Sequence, residues 1–182
     1  SLASDYLLSI TEDRFGNIWI GSEYAGIIKI VRSEFDLQII RPEKEASIGK
    51  SNNVRTILED SSHHIWVGTK NGSLYVYDPD LVDGTRIDKI FNPYTLEEDG
   101  NNRIWVGTKG YGLYIFDSKM QQEVYHAAHD KSNPTKVQLS HNSVFDILMD
   151  RQGRMWIGTF GGGLNLAVPS GKQYVFTRFF HN

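Results

Sequence analysis

The chain has no cysteine at all. That excludes disulfide staples and thiolate metal sites, and it suits a cytosolic or a periplasmic home equally. No uninterrupted apolar run approaches the roughly 18–20 residues of a spanning helix, so no membrane span is expected. Charge of one sign is also lacking. The net charge is −3, and acids and bases are interspersed. Neither a nucleic-acid footprint nor a polybasic membrane patch results, so no nucleic-acid partner is expected. Ser1–Tyr6 carry no basic n-region and no apolar h-region, so no signal peptide is expected here, as in an excised piece of a longer chain. Catalytic signatures are missing too. There is no G-x-S-x-G elbow, no H-E-x-x-H pair and no Walker loop. Phe160-Gly161-Gly162-Gly163 is glycine-rich, but it joins two apolar runs and opens no helix. No cofactor, no metal and no enzymatic activity are expected.

What the chain does have is a repeat. All four tryptophans, Trp19, Trp66, Trp105 and Trp156, occupy one motif position, 47, 39 and 51 residues apart. The core reads I-W-I-G-S-E-Y-A-G-I, I-W-V-G-T-K-N-G-S-L, I-W-V-G-T-K-G-Y-G-L and M-W-I-G-T-F-G-G-G-L. Self-similarity at about 40–50 residues indicates propeller blades or helical arrays. The short β-branched and aromatic runs flanking a glycine turn favour hairpins, hence blades. Six residues before each Trp stands an aspartate: Asp13, Asp60, Asp99 and Asp150. Nine before stands an aliphatic: Ile10, Ile57, Leu96 and Ile147. Between aspartate and Trp lies a turn, since Asp bonds its own downstream backbone and Gly takes positive φ cheaply. His63 and Asn102 replace that Gly twice, and both types are tolerated in the left-handed region. The aspartates are therefore read as turn formers, not as catalytic carboxylates.

Each repeat predicts strands A, B, C and D, giving an all-β chain of four four-stranded antiparallel blades. The blades run about 1–48, 49–92, 93–139 and 140–182, as a single partial β-propeller. The A strands are expected at Leu7–Glu12, Val54–Glu59, Tyr94–Glu98 and Val144–Met149. The B strands follow at Ile18–Ser22, Ile65–Thr69 and Met155–Thr159. The C strands are expected at Ile27–Val31, Ser73–Tyr77, Leu113–Phe116 and Leu164–Ala167. The D strands are expected at Phe35–Ile40, Arg86–Phe91, Glu123–His126 and Tyr174–Phe180. The B strands are continuously apolar, as sheets covered on both faces require. The Trp rings should lie between blades, with Trp66 and Trp105 largely buried. Gly21, Gly68, Gly107 and Gly158 should admit close backbone approach.

The stretches S-L-A-S-D-Y-L-L-S-I-T-E-D-R-F-G-N-I-W-I-G-S and L-S-H-N-S-V-F-D-I-L-M-D-R-Q-G-R-M-W-I-G-T-F-G-G-G-L resemble the two-component-regulator propeller repeat. Two departures stand out. Repeat two is one residue shorter between Trp66 and its turn glycine, Gly72, and repeat three lacks the usual serine-asparagine lead-in. The resemblance implies a non-enzymatic, periplasmic sensor region of a bacterial hybrid two-component regulator, anchored in the inner membrane. It also implies a response to glycan breakdown products, and partners in the rest of the receptor: further blades and an immunoglobulin-like domain. The alternative is a protein-interaction scaffold without a small-molecule site.

Antiparallel strands alternate direction, so B–C and D–A loops share one end of a blade. The B–C loops vary most: Glu23 and Tyr24, Lys70 and Asn71, Lys109 and Tyr111, and Phe160. The D–A connectors add Asn52, Asn53, His141 and Asn142. Aromatic faces beside hydrogen-bonding tips suit an oligosaccharide ligand. His63-His64 and the His126, His129, Asp130 group are read as surface loop. Left open, blades one and four would each bare an apolar face. The isolated chain is expected to self-associate, as a dimer making a pseudo-eight-bladed ring with about 800 Å² buried per partner at each contact.

Overall fold

The computed structural model describes residues 4–31, 37–42, 52–78, 84–119, 121–133 and 138–181. Among these there are sixteen strands and no helix. The chain divides into two compact units, Ser1–Pro93 and Tyr94–Asn182. Each unit holds two four-stranded antiparallel sheets whose strand order equals chain order, so each sheet is a meander of hairpins. In the first unit the sheets are β1(Leu7–Glu12), β2(Ile18–Ser22), β3(Ile27–Ile30), β4(Leu37–Ile40) and β5(Val54–Glu59), β6(Ile65–Thr69), β7(Leu74–Tyr77), β8(Gly84–Ile87). In the second they are β9(Pro93–Glu98), β10(Arg103–Thr108), β11(Leu113–Asp117), β12(Gln122–Ala127) and β13(Val144–Met149), β14(Met155–Thr159), β15(Gly163–Ser170), β16(Gln173–Phe179). Phe35 at the start of the first expected D strand, and Pro134 in the longest connector, lie outside the described residues.

Two strands depart from expectation. The second D strand is Gly84–Ile87, not Arg86–Phe91. A turn ends it, with the Ile90 amide donating to the Ile87 carbonyl, and Ile90 is buried instead of continuing an edge strand. The last C strand, expected at Leu164–Ala167, extends to Ser170. Its partner β16 follows after the two-residue turn Gly171-Lys172.

The A–B turn is the same in all four repeats. The aspartate amide donates to the carbonyl four residues on, and the amide three residues on donates back to the aspartate carbonyl. Aspartate Oδ1 accepts the amides two and four residues downstream at 2.8–3.1 Å. The left-handed position is filled by Gly16, His63, Asn102 and Gly153, with φ of 80°, 70°, 58° and 76°. A three-residue hairpin loop of this kind needs one left-handed residue, which explains why only Gly, Asn and His appear there.

The second carboxylate oxygen has a different task. In every repeat the indole N–H of the Trp donates to Oδ2, at 2.9, 2.8, 2.9 and 2.8 Å for Trp19, Trp66, Trp105 and Trp156. The turn aspartate thus satisfies the one polar atom of a ring that is otherwise core. Burial pushes the Asp13 carboxyl up, but the donors Trp19, Asn17 and Phe15 outweigh that and hold it below the usual carboxylate range. Asp150 is likewise held low: desolvation opposes, and the Trp156 indole and Arg154 prevail.

The B–C turn explains the Ser or Thr after the motif glycine. The hydroxyls of Ser22, Thr69, Thr108 and Thr159 donate across the turn to the carbonyls of Gly26, Ser73, Gly112 and Gly163, at 2.7–3.1 Å. Ser73 stands where the other repeats have Gly, so repeat two is not shortened. Its left-handed residue is Asn71, with φ 55°.

Within each unit the Trp points at the following sheet. Trp19 and Ile27 pack with Val54, Ile57, Ile65 and Val67. Trp105, Leu113 and Ile115 pack with Val144, Ile147, Met155 and Ile157. The aliphatic nine residues before each Trp is correspondingly buried at Ile57, Leu96 and Ile147, with 9%, 7% and 4% exposure. Ile10, at the same position of the first sheet, is 71% exposed. Trp19, Trp66 and Trp105 are at most 1% exposed, whereas Trp156 is only half-buried. The motif glycines repeat this contrast. A Cβ on Gly107 would lie 2.5 Å from both Thr95 Cγ2 and Val144 Cγ1, while one on Gly158 would meet nothing closer than 3.8 Å. The close approach expected at Gly158 is therefore not seen, since only Asp146 of the neighbouring strand lies near it. On the first and last sheets, Ile10 and Leu148 are 71% and 59% exposed.

Candidate functional site

In the first unit the B–C end groups four of the expected residues. The Glu23 amide donates to the Tyr6 carbonyl, and Asn53 Nδ2 donates to Glu23 Oε1 at 3.3 Å. The Tyr24 ring meets Tyr6 edge-on at 5.5 Å, and both rings are exposed. The Lys70 amide donates to the Asn53 carbonyl. Asn71 turns elsewhere, its amide bonding Asn92 Oδ1 at 2.7 Å.

The second unit shows the same end in a more ordered form. Lys109 bridges Ser143, and the amides of Gly110 and Gly112 donate to the Asn142 carbonyl. Tyr111 is exposed but stands apart, its carbonyl bonded to the His126 ring. His141 Nδ1 accepts the Ser143 amide at 3.0 Å. Phe160 is 63% exposed, and its ring lies 5.2 Å from Phe145. Phe145 in turn stacks on Tyr94 at 4.6 Å, with 11° between the planes. Phe160, Phe145 and Tyr94 form one aromatic row leading from the loop onto the A strands.

Sequence reasoning found Phe160 and missed Tyr94, Phe145 and Tyr6. For Tyr94 and Phe145 the signal was present eleven residues before each Trp, where Leu8, Arg55, Tyr94 and Phe145 differ inside a motif that otherwise repeats. In β1, β5 and β13 the register slips at this residue, as a bulge. Bulges re-aim side chains and recur beside functional sites.

The histidines contact carboxylates and backbone. His63 bonds Glu59 at 2.9 Å and also contacts Arg14; His64 bonds Asp60 at 3.2 Å. His129 holds the Leu139 carbonyl at 3.0 Å. Among the described residues no group of three His, Asp or Glu could hold a metal. The carboxyl of Glu97 is raised, first by burial and then by neighbouring Asp146 and Glu98, against the Met149 amide that it accepts.

Four-stranded meanders that pair face to face within each unit, with the Trp of the first wedged against the second, are β-propeller blades. The particular blade that three of the four repeats match is that of the two-component regulator propeller. The family pattern matches residues 1–24, 48–71 and 138–161. Repeat three lies outside those matches yet keeps the same Asp–Trp bond and turn geometry. The extracellular domain of the putative hybrid two-component system BT3049 from B. thetaiotaomicron is 30% identical, with TM-score 0.76 over 99% of this chain and 23% of that one. That of BT4673, from the same organism, is 27% identical, with TM-score 0.74 over 91% of this chain and 22% of that one. Histidine kinase P4 of Formosa agariphila is 34% identical over 80 residues, 42% of this chain and 6% of that protein. The chain thus spans less than a quarter of each of these three.

Proposed function

We propose that this chain is part of the extracytoplasmic sensor region of a bacterial hybrid two-component receptor, on the periplasmic side of the inner membrane. We read its four blades as an arc of one larger propeller. Its ligand is an oligosaccharide released by glycan breakdown, bound without chemical conversion. The observation that carries the ligand assignment is the row Phe160–Phe145–Tyr94. Sugars present flat C–H faces to aromatic rings and hydroxyls to polar rims, and Lys109, His141 and Asn142 supply such a rim. In the first unit, Tyr24 and Tyr6 beside Glu23 and Asn53 repeat the combination.

Enzymatic readings are weaker. The raised Glu97 is committed to the Met149 amide at 3.0 Å, which is a structural bond in β13. Acid–base catalysis would need a second carboxylate converging on a shared substrate position. The bare faces at Ile10 and Trp156 are what further blades of the same receptor would cover.

The test is isothermal titration against a panel of neutral and acidic oligosaccharides. Binding of one panel member, weakened about tenfold or more by Phe160→Ala, is the expected result. Binding that Phe160→Ala leaves untouched would remove the aromatic row from the site. Formation of product would overturn the non-enzymatic reading.

A further inference from the structure

The opposite end of the second unit carries a feature that its short, uniform A–B turns did not announce. The hairpin β15–β16 is longer than its counterparts: β15 has eight residues, where β3, β7 and β11 have four, four and five. The last ladder pair between β14 and β15 is Met155↔Ala167, so Val168–Ser170 overhang the sheet. Pro169 is tolerated there because it has no bond to β14 to lose. Beneath the overhang, against the turn Asp99–Arg103, lies a cleft of about 710 Å³. Its walls include Met155, Val168, Pro169 and Tyr174, with Arg103 and Asp117 at the polar side. A smaller recess of about 220 Å³ shares Arg103 and Tyr174 and ends at Lys172 on the hairpin tip.

Two donors converge on this cleft. Arg103 Nη1 donates to the Tyr174 hydroxyl at 2.9 Å; that is the one hydrogen bond of its guanidinium among the described residues, and it makes no ion pair there. Most of its fork is therefore unspent. Tyr174 is held by Trp105 and Tyr125, at ring distances of 4.8 and 5.2 Å. Burial raises its pKa, with Arg103 pulling the other way, so the phenol stays neutral and keeps a proton to donate. A planar fork beside a fixed hydroxyl matches an oxyanion, and carboxylates take such a fork in bidentate fashion. The volume far exceeds that of an inorganic ion and falls in the range of small-ligand sites.

We propose that this cleft binds a small organic carboxylate of about monosaccharide size, with Arg103 and the Tyr174 hydroxyl holding the carboxylate under the β15–β16 overhang. The site is separate from the aromatic row and does not depend on it. Titration of the whole chain with galacturonate, galactose and inorganic sulfate tests it. Galacturonate is expected to bind at least about tenfold more tightly than galactose, and Arg103→Gln to weaken it about tenfold or more. Arg103→Lys, which keeps the charge but not the fork, should fall between. Phe160→Ala should change nothing, which separates this site from the function proposed above. Tryptophan emission of each variant checks that the Trp105–Tyr174 packing survives. Absence of galacturonate binding, or binding unchanged in both Arg103 variants, would overturn the proposal. So would sulfate binding through Arg103 without any galacturonate binding.

Discussion

Alanine at two equivalent glycines of the second unit should have opposite effects. Gly107 and Gly158 occupy the same motif position in β10 and β14. The added methyl at Gly107 would sit 2.5 Å from Thr95 Cγ2 and Val144 Cγ1, and 3.0 Å from Val144 Cβ. Carbon atoms prefer about 3.5–4.0 Å, so the overlap is about 1 Å on two sides. Val144 is fully buried and has nowhere to move. Overpacking of that kind costs about 1–3 kcal/mol. At Gly158 the methyl meets only Asp146 at 3.8 Å, an ordinary contact. There Gly→Ala should stabilise by about 0.4–1 kcal/mol, through the unfolded chain. Urea unfolding followed by tryptophan emission reads both. With a slope of about 2 kcal/mol per molar, the midpoint should fall by about 0.5–1.5 M for Gly107→Ala and rise by about 0.2–0.5 M for Gly158→Ala. Equal shifts in one direction would refute the idea that one face is covered and the other bare. In a longer chain with a following blade, Gly158→Ala should become as costly as Gly107→Ala.

Trp66→Ala and Trp105→Ala should each cost about 3–5 kcal/mol, the range for large-to-small core changes. A loss under about 1 kcal/mol, measured by the same unfolding curves, would show that the ring is not core. Asp13 has a folded pKa below its unfolded one, so its contribution is present above the ordinary carboxylate range and is lost as pH falls through the folded value. The urea midpoint of the wild type should approach that of Asp13→Asn on acidification; a constant gap across that pH range would contradict this. Light scattering should show self-association of the isolated chain at micromolar concentration, relieved by Ile10→Asp or by Leu148→Asp, at a residue exposed on β13. A monomeric wild type would show that the bare faces are tolerated in water.

Much of the fold was legible because the repeat carries its own controls. Four copies of one aspartate and one Trp at fixed spacing made the turn, the hairpin and the strand order readable. They also explained the tolerance of His63 and Asn102 at a left-handed position. What escaped was whatever depended on a neighbour. The Trp–Asp hydrogen bond joins residues that the sequence showed as separate motif positions. The second D strand was misplaced because Ile90 and Phe91 look like strand residues, while a turn at Asp88-Lys89 and the burial of Ile90 decide otherwise. The β15 overhang was hidden because Val168-Pro169-Ser170 reads as a loop. At the B–C end the loop residues were found by variation within the repeat. Tyr94 and Phe145 were passed over as strand residues, and the bulge at Phe145 leaves no mark in composition.

The direction in which each Trp points has a consequence for the order of assembly. The packing of Trp19 and Trp105 is completed by the sheet that follows each in the chain. While the chain is being made, each finished hairpin must wait for the next repeat before its indole face is shut. The wait is the 39–51 residues between successive tryptophans. At ordinary synthesis rates that is about 2–10 s per repeat. Within each unit, therefore, the indole of the first sheet is shut only when the second sheet has been made.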